Sequence, residues 1–590
     1  MKTKLLIFIV SAMIFSGCSD LLAPADQNNR KLGDIYNDAA FAEGLLLNAY
    51  AKLPSGGYSF NDVATDDAVT NDKINNYLLM ATGKWSAIFN PMDKWATAYS
   101  SIQYLNLFLE QADKVTWATT GKYVNEMFND RMKGEAYGLR ALYMYYLLQS
   151  HGGLSAGGQL LGVPILTASQ DIDSDFRVPR NTFEECVQQI YKDLDMAESY
   201  LPLDYEDILA DNQIPAKYAG KTTPSDYTRV FGAFDHQRLS ARIVKGIRAQ
   251  VSLLAASPAF SMGTTVTWTK AADDAASVLD LIGGVTGLAP KGNVWYAKSN
   301  SAEINNAKNG VNPPEILWRT NTSSNTNLET DNYPPTLYGK GRINPTQNLV
   351  DAFPMSNGYP IDNANGVAYD ANNPYKNRDP RLALYIVVNG AKEGPSSITV
   401  YTHTQAGKTD DGMNVTPTST RTGYYMRKLL REDVNLNPTS TTAQIHYVPR
   451  IRYTELFLAY AEAANEAWGP DGSGTHAYSA RSVIAAIRKR AGIKQPDNYL
   501  ASITSTDDMR KLIHNERRLE LCFEGFRFWD LRRWKEDITQ PANGVTINPD
   551  GTISVTPLAV ENRTYSNDMF YGPLPYSEVF KWGLTQNAGW

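Results

Sequence analysis

The residue types that most often carry catalysis or metal binding are sparse in this sequence. The histidines form no HExxH or HxH motif and no cluster with cysteine, which are the spacings that a zinc site requires. We interpret each of them as a surface or structural residue, and we expect no metal, no cofactor and no catalytic residue. The six histidines are His151, His236, His403, His446, His476 and His514.

Three segments match a chemical motif only in part. Residues 171–175 open like a calcium loop, but Phe176 stands where that loop needs glycine and Thr182 where it needs glutamate. Residues 472–477 fit GxGxxA, yet they follow a helical pattern instead of a strand, so we predict an inter-helix turn. Asp66 and Asp67 could in principle act as glycosidase acids. Adjacent acids in a loop are more often hydroxyl acceptors or helix caps.

Aromatic residues are abundant where thiols and imidazoles are scarce. The 590 residues include 34 Tyr and 11 Trp but only three Cys. This ratio favours binding by ring stacking over metal chemistry. The formal net charge is -6, from 56 basic and 62 acidic residues. Because phosphate binding needs a basic face, we expect no nucleic-acid partner. The length allows two or more domains, or one large helical array.

The first residues have the pattern of an export signal. Lys2 and Lys4 precede a short apolar run, and small residues lead to Cys18. This order resembles a bacterial lipobox, so we predict a leader over 1–17, lipidation of Cys18 and a tether over 18–31. An ordinary signal peptide with a chance cysteine is the alternative. Cys186 and Cys522 lie in helical patterns and are predicted to be small buried residues, with no disulfide required.

Helical periodicity appears in two blocks of the chain. Apolar spacing predicts helices in 135–150, from about 183 to 200 with Asn181 or Thr182 as the cap, in 243–256 and in about 268–281. The pattern returns at 452–468, which is rich in alanine, then at 478–490 and from 507 to about 535. Helix pairs joined by turns are typical of tetratricopeptide-like arrays. We therefore predict a mainly α fold.

The segment between the two blocks differs in composition. Residues 288–449 are rich in Asn, Pro, Gly, Thr and Ser, with short strand-like runs at 384–388 and 397–401. We predict a loop-rich subdomain inserted into the helical scaffold, and loops on rigid scaffolds often carry recognition. The predicted boundaries are 32–287 for the N-terminal helical region, 288–449 for the insertion and 450–590 for the C-terminal helical region.

Residues 516–534 carry the most specific motif in the sequence. They read ERRLELCFEGFRFWDLRRW and resemble the E-R-R-x-E-L-x-x-E-G-x-R-x-x-D-L-x-R signature of the SusD/RagB family. Further similarity lies in 452–455, 461–463, 378–382 and 135–153, and in a terminal segment where Ala588 replaces the usual proline. From the residues themselves, Glu516, Glu520 and Glu524 at a spacing of four predict ion pairs with facing helices while nearby rings pack. We expect no catalysis from these acids.

The resemblance implies a function as well as a fold. Members of this family are surface lipoproteins that bind nutrients for TonB-dependent outer-membrane transporters. We accordingly expect a non-catalytic glycan-binding lipoprotein, anchored in the outer membrane through Cys18 and facing outward. The partners implied are an oligosaccharide or polysaccharide and a SusC-like transporter.

A glycan platform needs exposed aromatic rings with polar side chains at their edges. We predict that Trp85, Trp295 and Trp318 line it, with Asp66, Asp67 and Tyr296 as helpers. Core packing is the alternative for each tryptophan. Core packing is the strongest alternative for Trp318, because the residues before it resemble a family strand whose alternation would turn the ring inward.

The identity of the ligand is the least determined part of the prediction. Several flat rings would suit a β-linked plant-type polysaccharide, and a curved ligand such as starch would fit an arc of rings equally well. A peptide-binding or other nutrient-binding member of the same family is one alternative function. A surface glycoside hydrolase is another.

Overall fold

The computed structural model describes residues 36, 38–54, 58–363, 365, 367–403, 410–548, 550 and 552–590. The predicted leader, the predicted lipidation site Cys18 and the predicted tether lie outside these residues. Among the residues that are described, no helix combines the length and the apolarity needed to span a lipid bilayer.

The described chain is mainly helical, as predicted. In chain order, helices α1 to α18 span Ala39–Ala51, Asn76–Leu79, Trp95–Gln111, Lys122–His151, Phe183–Tyr200, Pro224–Phe231, Ala241–Ala256, Trp268–Leu279, Ser301–Asn306, Asn327–Asn332, Gln347–Ala352, Pro380–Tyr385, Tyr453–Trp468, Ala480–Ala491, Asn498–Ser502, Thr506–Glu520, Arg527–Trp534 and Tyr576–Trp582.

The helices of the two predicted blocks begin and end close to their sequence signals. Thr182 caps α5 in a reciprocal capping box with Glu185, which satisfies two orphan backbone groups at the helix start. Residues 472–477 form the predicted turn between α13 and α14. Helices α4 and α5, α7 and α8, and α13 and α14 pack as sequential pairs. This pairing is the predicted tetratricopeptide-like arrangement.

The two helical blocks join directly across the insertion. Helix α8 packs against α13, although the insertion separates them in sequence. The contact is made by small buried side chains such as Ala272 and Ala276 of α8 and Ala461 and Ala464 of α13. Small residues let two helix backbones approach closely, so they explain why this junction forms. One large apolar core, the helical core, runs through both blocks.

Two predicted helices are wrong in extent. Helix α4, predicted over 135–150, begins at Lys122. The segment from 507 to about 535 is two helices, α16 and α17, with a break at 521–526. Phe523 and Gly525 adopt positive φ angles of 63° and 85° within this break. A continuous right-handed helix excludes such angles, so the chain turns there.

The strands are short and pair in twos. In chain order, β1 to β14 span Ala68–Thr70, Gly153–Leu154, Leu160–Leu161, Ile316–Arg319, Ser323–Asn325, Ile343–Pro345, Ile386–Val387, Lys392–Glu393, Ile398–Thr399, Tyr425–Met426, Gln444–His446, Pro449–Arg452, Ala542–Ile547 and Ile553–Glu561. Strand β4 pairs antiparallel with β12, and β5 pairs antiparallel with β11. The backbone bond from Thr320 N to Val448 O, at 2.9 Å, links the two pairs. We call residues 316–325 and 444–452 together the ribbon.

A second apolar core underlies the inserted segment. It includes Trp295, Tyr296, Ile304, Tyr385 and Tyr447, and it reaches Cys522 in the break between α16 and α17. Both Cys186 and Cys522 are buried free thiols, as predicted. Burial raises the pKa of each thiol to about 12, so both stay protonated.

The charged signature joins the two cores through buried ion pairs. Glu516, Glu520 and Glu524 each have both carboxylate oxygens paired, which confirms the predicted structural role. Burial alone would raise the pKa of Glu520, but Arg490 and Arg381 outweigh it and hold this pKa below its usual range. The partners are Arg381 and Arg488 for Glu516, Arg381 and Arg490 for Glu520, and Lys428 and Arg452 for Glu524. We call these eight residues the ion-pair network.

Candidate functional site

A cavity of about 410 Å³ opens where the ribbon meets the loop that carries Trp295. This volume lies in the range of about 300–1,000 Å³ that small-molecule sites occupy. Its described lining comes from six places in the chain, which are the early loop, the loop at 295–296, helices α9 and α10, Leu429, and the ribbon. The aromatic and polar lining includes Tyr58, Phe60, Trp295, Tyr296, Asn321, Ser323, Asn325, Asn327, Asp331, Asn332, His446 and Tyr447.

Aromatic rings form the floor of the cavity. Trp295, Tyr296 and Tyr447 are 3%, 6% and 5% exposed. The ring of Trp295 lies 5.5 Å from that of Tyr296, edge to face, and 5.3 Å from that of Tyr447. Half-buried Tyr58 and Phe60 add a second ring pair, 5.6 Å apart, on the early loop. This cluster offers a ligand an apolar surface at the bottom of a concave site.

The loop that carries Trp295 is held against the ion-pair network. Asn300 Nδ2 donates to Val294 O at 2.8 Å and so closes the loop. A Cβ at Gly292 would overlap Glu315 Oε2, so only glycine allows the loop to pack this closely. Since Glu315 itself pairs with Arg452 at 2.7 Å, the tryptophan stands on a rigid base. A rigid base reduces the entropy that a ligand must remove on binding.

Polar side chains form the rim of the cavity. Asn321, Ser323, Asn327 and Asp331 are exposed, and Asn325 is partly so. They follow the ribbon strand β5 into the short helix α10. Amide and hydroxyl groups both donate and accept hydrogen bonds, which is what the hydroxyls of a sugar require.

Helix α10 is fixed from below by a buried carboxylate. Glu329 is fully buried, and its Oε1 accepts from Arg431 N at 2.8 Å and faces His446 Nε2 at 3.0 Å. These contacts tie the helix to the opposite strand of the ribbon. They set the position of Asn332 above the floor.

Four polar atoms of the floor and wall are buried without a hydrogen-bond partner among the described residues. They are Trp295 Nε1, Tyr296 Oη, Tyr447 Oη and Asn332 Oδ1. Burial raises the pKa of the Tyr447 hydroxyl above its usual value, so it remains a neutral donor. An unpaired buried polar atom costs about 1–3 kcal/mol. A ligand that supplies the missing partners recovers this cost on binding.

The structure brings together two of the six predicted site residues, Trp295 and Tyr296. Trp85 is buried like Trp295 but does not line the cavity. Its ring packs edge to face on Phe528 and Trp590, and its Nε1 donates to Asn90 Oδ1 at 2.9 Å. This corrects the expectation that Trp85 offers a ring face to a sugar, because other rings cover it.

Trp318 is also part of the core, as its alternative reading anticipated. It is 1% exposed, its Nε1 donates to Gln237 O at 3.0 Å, and the Arg450 guanidinium lies over its ring. Strand β4 is buried along its whole length, so alternation does not bring this ring to the surface. The expected platform of three tryptophans on one face is therefore not formed.

Asp66 and Asp67 are buried ion-pair partners and do not line the cavity. Asp66 is held by Arg518 and Arg527 at 2.8–2.9 Å, and Asp67 Oδ1 accepts from Arg518 at 2.7 Å. Burial opposes the charge of Asp66, but the two guanidinium groups outweigh it and lower its pKa. The pair fixes the early loop to α16 and α17 instead of meeting a sugar.

The sequence reasoning missed Tyr58, Phe60, Tyr447 and the polar rim. The run TNTSSNTN at 320–327 was a usable signal, since it follows a buried strand and is rich in amide and hydroxyl groups. Tyr447 carried a weaker signal, which was its spacing of two from the buried Ile445.

Comparisons with known proteins agree with the motif in the sequence. A model described as the SusD family matches residues 303–590. A second model of the same kind, described as starch-binding associating with outer membrane, matches residues 36–221. The chain belongs to the SusD family.

Individual relatives are more distant. A SusD-like protein P38 of Formosa agariphila is 32% identical over 118 residues, which are 19% of this chain and 22% of that protein. The chain thus matches about a fifth of that relative's length.

Solved structures of this family share the fold over nearly the whole chain. A SusD-like protein of Bacteroides fragilis has a TM-score of 0.71 at 21% identity and covers 96% of this chain and 100% of its own. A SusD-like carbohydrate binding protein of the same species has a TM-score of 0.67 at 20% identity, covering 92% and 98%. This likeness confirms the predicted mainly α, tetratricopeptide-like scaffold.

Proposed function

We propose that this protein binds a glycan, without catalysis, in the cavity between the ribbon and the Trp295 loop. The observation that carries the proposal is the combination of an aromatic floor, a rim of amides and hydroxyls, and four unpartnered buried polar atoms. Sugar rings present flat C–H faces and a border of hydroxyls, so both parts of the cavity have a matching part in the ligand.

A hydrolytic role fits the cavity less well. Glycoside hydrolysis needs two carboxyl groups on either side of the scissile bond. Asp331 at the rim is the single acidic residue of the described lining. The match to a family model described as starch-binding supports the same conclusion.

The ligand that we propose is a β-linked plant-type polysaccharide. A β-linked chain of equatorial sugars presents successive flat faces, which suits the adjoining rings of Trp295 and Tyr447. Starch and peptides are the alternative ligands, and they are separate outcomes of the test below.

Two further parts of the function rest on the sequence and on the family. The protein is anchored through lipidated Cys18 at the outer face of the outer membrane, and it works with a SusC-like TonB-dependent transporter during glycan import. Protease treatment of intact cells should remove the protein, and Cys18→Ser should release it from the membrane fraction. Copurification with the transporter tests the partner, and complete protection from protease would contradict the surface location.

The binding claim is tested with a panel of laminarin, barley β-glucan, xyloglucan, starch and an unrelated peptide mixture, measured by calorimetry. At least one glycan should bind, and Trp295→Ala should reduce its affinity by at least about tenfold because a stacking ring is lost. Trp318→Phe is the matched control, since it changes an equally buried ring outside the cavity. The proposal would be refuted if only peptides bind, or if glycan affinity is the same in the wild type and in Trp295→Ala.

A further inference from the structure

The cavity has an unusual balance of charge for a polar site. Of its described lining residues, none is lysine or arginine, and Asp331 is a carboxylate at the rim. Asp331 is more than half exposed, and its partner Lys340 lies outside the cavity at 3.0 Å. The imidazole of His446 faces the buried Glu329 at 3.0 Å, so it is committed to a carboxylate already.

The nearby guanidinium groups already have hydrogen-bond or ion-pair partners within the protein. Arg319 lies over the Tyr447 ring, 5.5 Å from its centroid, and donates through its two Nη atoms to the carbonyls of Thr320 and Ala307. Only its Nε lacks an acceptor among the described residues. Arg319 is also buried and does not line the cavity, so it does not present there the forked pair of donors that holds a carboxylate or sulfate. Arg431 pairs with Asp433 at 2.9 Å.

The unpartnered buried polar atoms of the lining residues are neutral. Trp295 Nε1 and the hydroxyls of Tyr296 and Tyr447 are donors, and Asn332 Oδ1 is an acceptor. A sugar hydroxyl both donates and accepts, so it can meet either kind. An anionic sugar brought against this floor would lose its hydration and find no cation in return, which opposes binding.

We propose that the cavity selects uncharged sugars and rejects uronic acids and sulfated sugars. This inference rests on the proposed function, because it specifies the ligand of the same cavity. It follows from the absence of a cation in the described lining together with the neutral, unpartnered atoms of the floor.

Matched pairs of glycans isolate the charge from the linkage. Laminarin, amylose and cello-oligosaccharides are each compared with the same material oxidised at C6 to the carboxylate, by calorimetry on the full chain. At least one neutral member should bind, and its oxidised counterpart should bind at least about tenfold more weakly. Raising the salt concentration should not restore the oxidised form to the neutral affinity, because the penalty is desolvation and not only long-range repulsion.

A variant at the rim of the cavity should gain affinity for the oxidised glycan relative to the neutral glycan. Asn327→Lys places a cation at the mouth of the cavity and should raise the ratio of oxidised-glycan affinity to neutral-glycan affinity several-fold. Asn372→Lys, at an exposed turn away from the cavity, is the charge-matched control and should not change this ratio.

The outcomes separate the two proposals. If an oxidised glycan binds as well as its neutral counterpart, the charge selectivity is overturned and the glycan site stands. If neither form of any pair binds and the wider panel is also negative, both proposals fail.

Discussion

Two neighbouring regions of this protein differ in how many of their buried polar atoms have hydrogen-bond or ion-pair partners. In the ion-pair network, both oxygens of Glu516, Glu520 and Glu524 are paired with arginine or lysine. In the cavity, a few residues away through Gly292 and Glu315, Trp295 Nε1, Tyr296 Oη, Tyr447 Oη and Asn332 Oδ1 have no partner among the described residues. The three carboxylates of the first region are paired within the protein, and we propose that a ligand supplies the missing partners of the second.

This difference distinguishes buried polar groups that stabilise the fold from buried polar groups that bind a ligand. A buried charge that is fully paired serves the fold, because removal of one partner strands the other in a low-dielectric interior. A buried donor without a partner costs free energy in the unbound protein and returns it when a ligand binds. The number of polar or aromatic residues is therefore a poor guide to function, and the state of their hydrogen bonds is a better one.

The largest expected effect comes from breaking the network. Arg381→Met leaves Glu516 and Glu520 each without one partner and should destabilise the fold by about 3–5 kcal/mol. Urea unfolding followed by circular dichroism measures it. Lys511→Met removes the exposed partner of Asp508 and should cost under about 1 kcal/mol. Equal losses in the two variants would contradict the structural role of the network.

The next largest expected effect distinguishes the role of Trp295 from that of Trp85. Trp295→Phe keeps a ring but removes the Nε1 donor, and it should weaken glycan binding by several-fold with little change in stability. Trp85→Phe should leave the affinity unchanged and lower stability, because its Nε1 bond to Asn90 is lost. Calorimetry and thermal unfolding on both variants test the distinction. A loss of affinity confined to the Trp85 variant would reverse the assignment.

These two tryptophans also show which features of the structure can be predicted from the sequence. Helices α4, α5, α7, α8, α13 and α14 were predictable because apolar periodicity, caps and glycine stops are local signals. The exposure of Trp85 was not, since Trp590 covers its ring from the other end of the sequence. The break after α16 was hidden as well, because positive φ at Phe523 depends on tertiary contacts and not on residue type. Of the predicted site, only Trp295 and Tyr296 reach the cavity.

A pH-dependent effect tests Asp62, a buried acid that forms no ion pair among the described residues. Burial, and then the charge of Asp67, raises the pKa of Asp62 to about 7. Its unfolded pKa is about 3.9. Between these values the folded state holds the proton more tightly, so wild-type stability should fall as the pH rises from about 4 to about 7.

Asp62→Asn should remove this dependence. The variant should match the wild type near pH 4 and exceed it by more than about 1 kcal/mol at pH 8, because the amide carries no charge to bury. Denaturant unfolding across this pH range measures the difference, with Asp508→Asn on the surface as the control. A difference that stays constant with pH would contradict the raised pKa.

The smallest expected effect is at Tyr447. Tyr447→Phe deletes a hydroxyl that has no partner among the described residues, so stability without ligand should be unchanged or slightly higher. Glycan affinity should fall by about 0.5–1.5 kcal/mol, or roughly twofold to tenfold, because one hydrogen bond to the sugar is lost. Tyr385→Phe, whose hydroxyl is bonded to Asn293 O in the unbound protein, should instead lower stability. The reverse pattern would show that the cavity is structural.

The most direct test of the cavity as the glycan site is a crystal structure with the tightest-binding oligosaccharide of the panel. We predict that a sugar ring lies on Trp295 and Tyr447, with hydroxyls within hydrogen-bonding distance of Trp295 Nε1 and Asn332 Oδ1. An oligosaccharide bound elsewhere on the surface, with this cavity holding only water, would contradict the account.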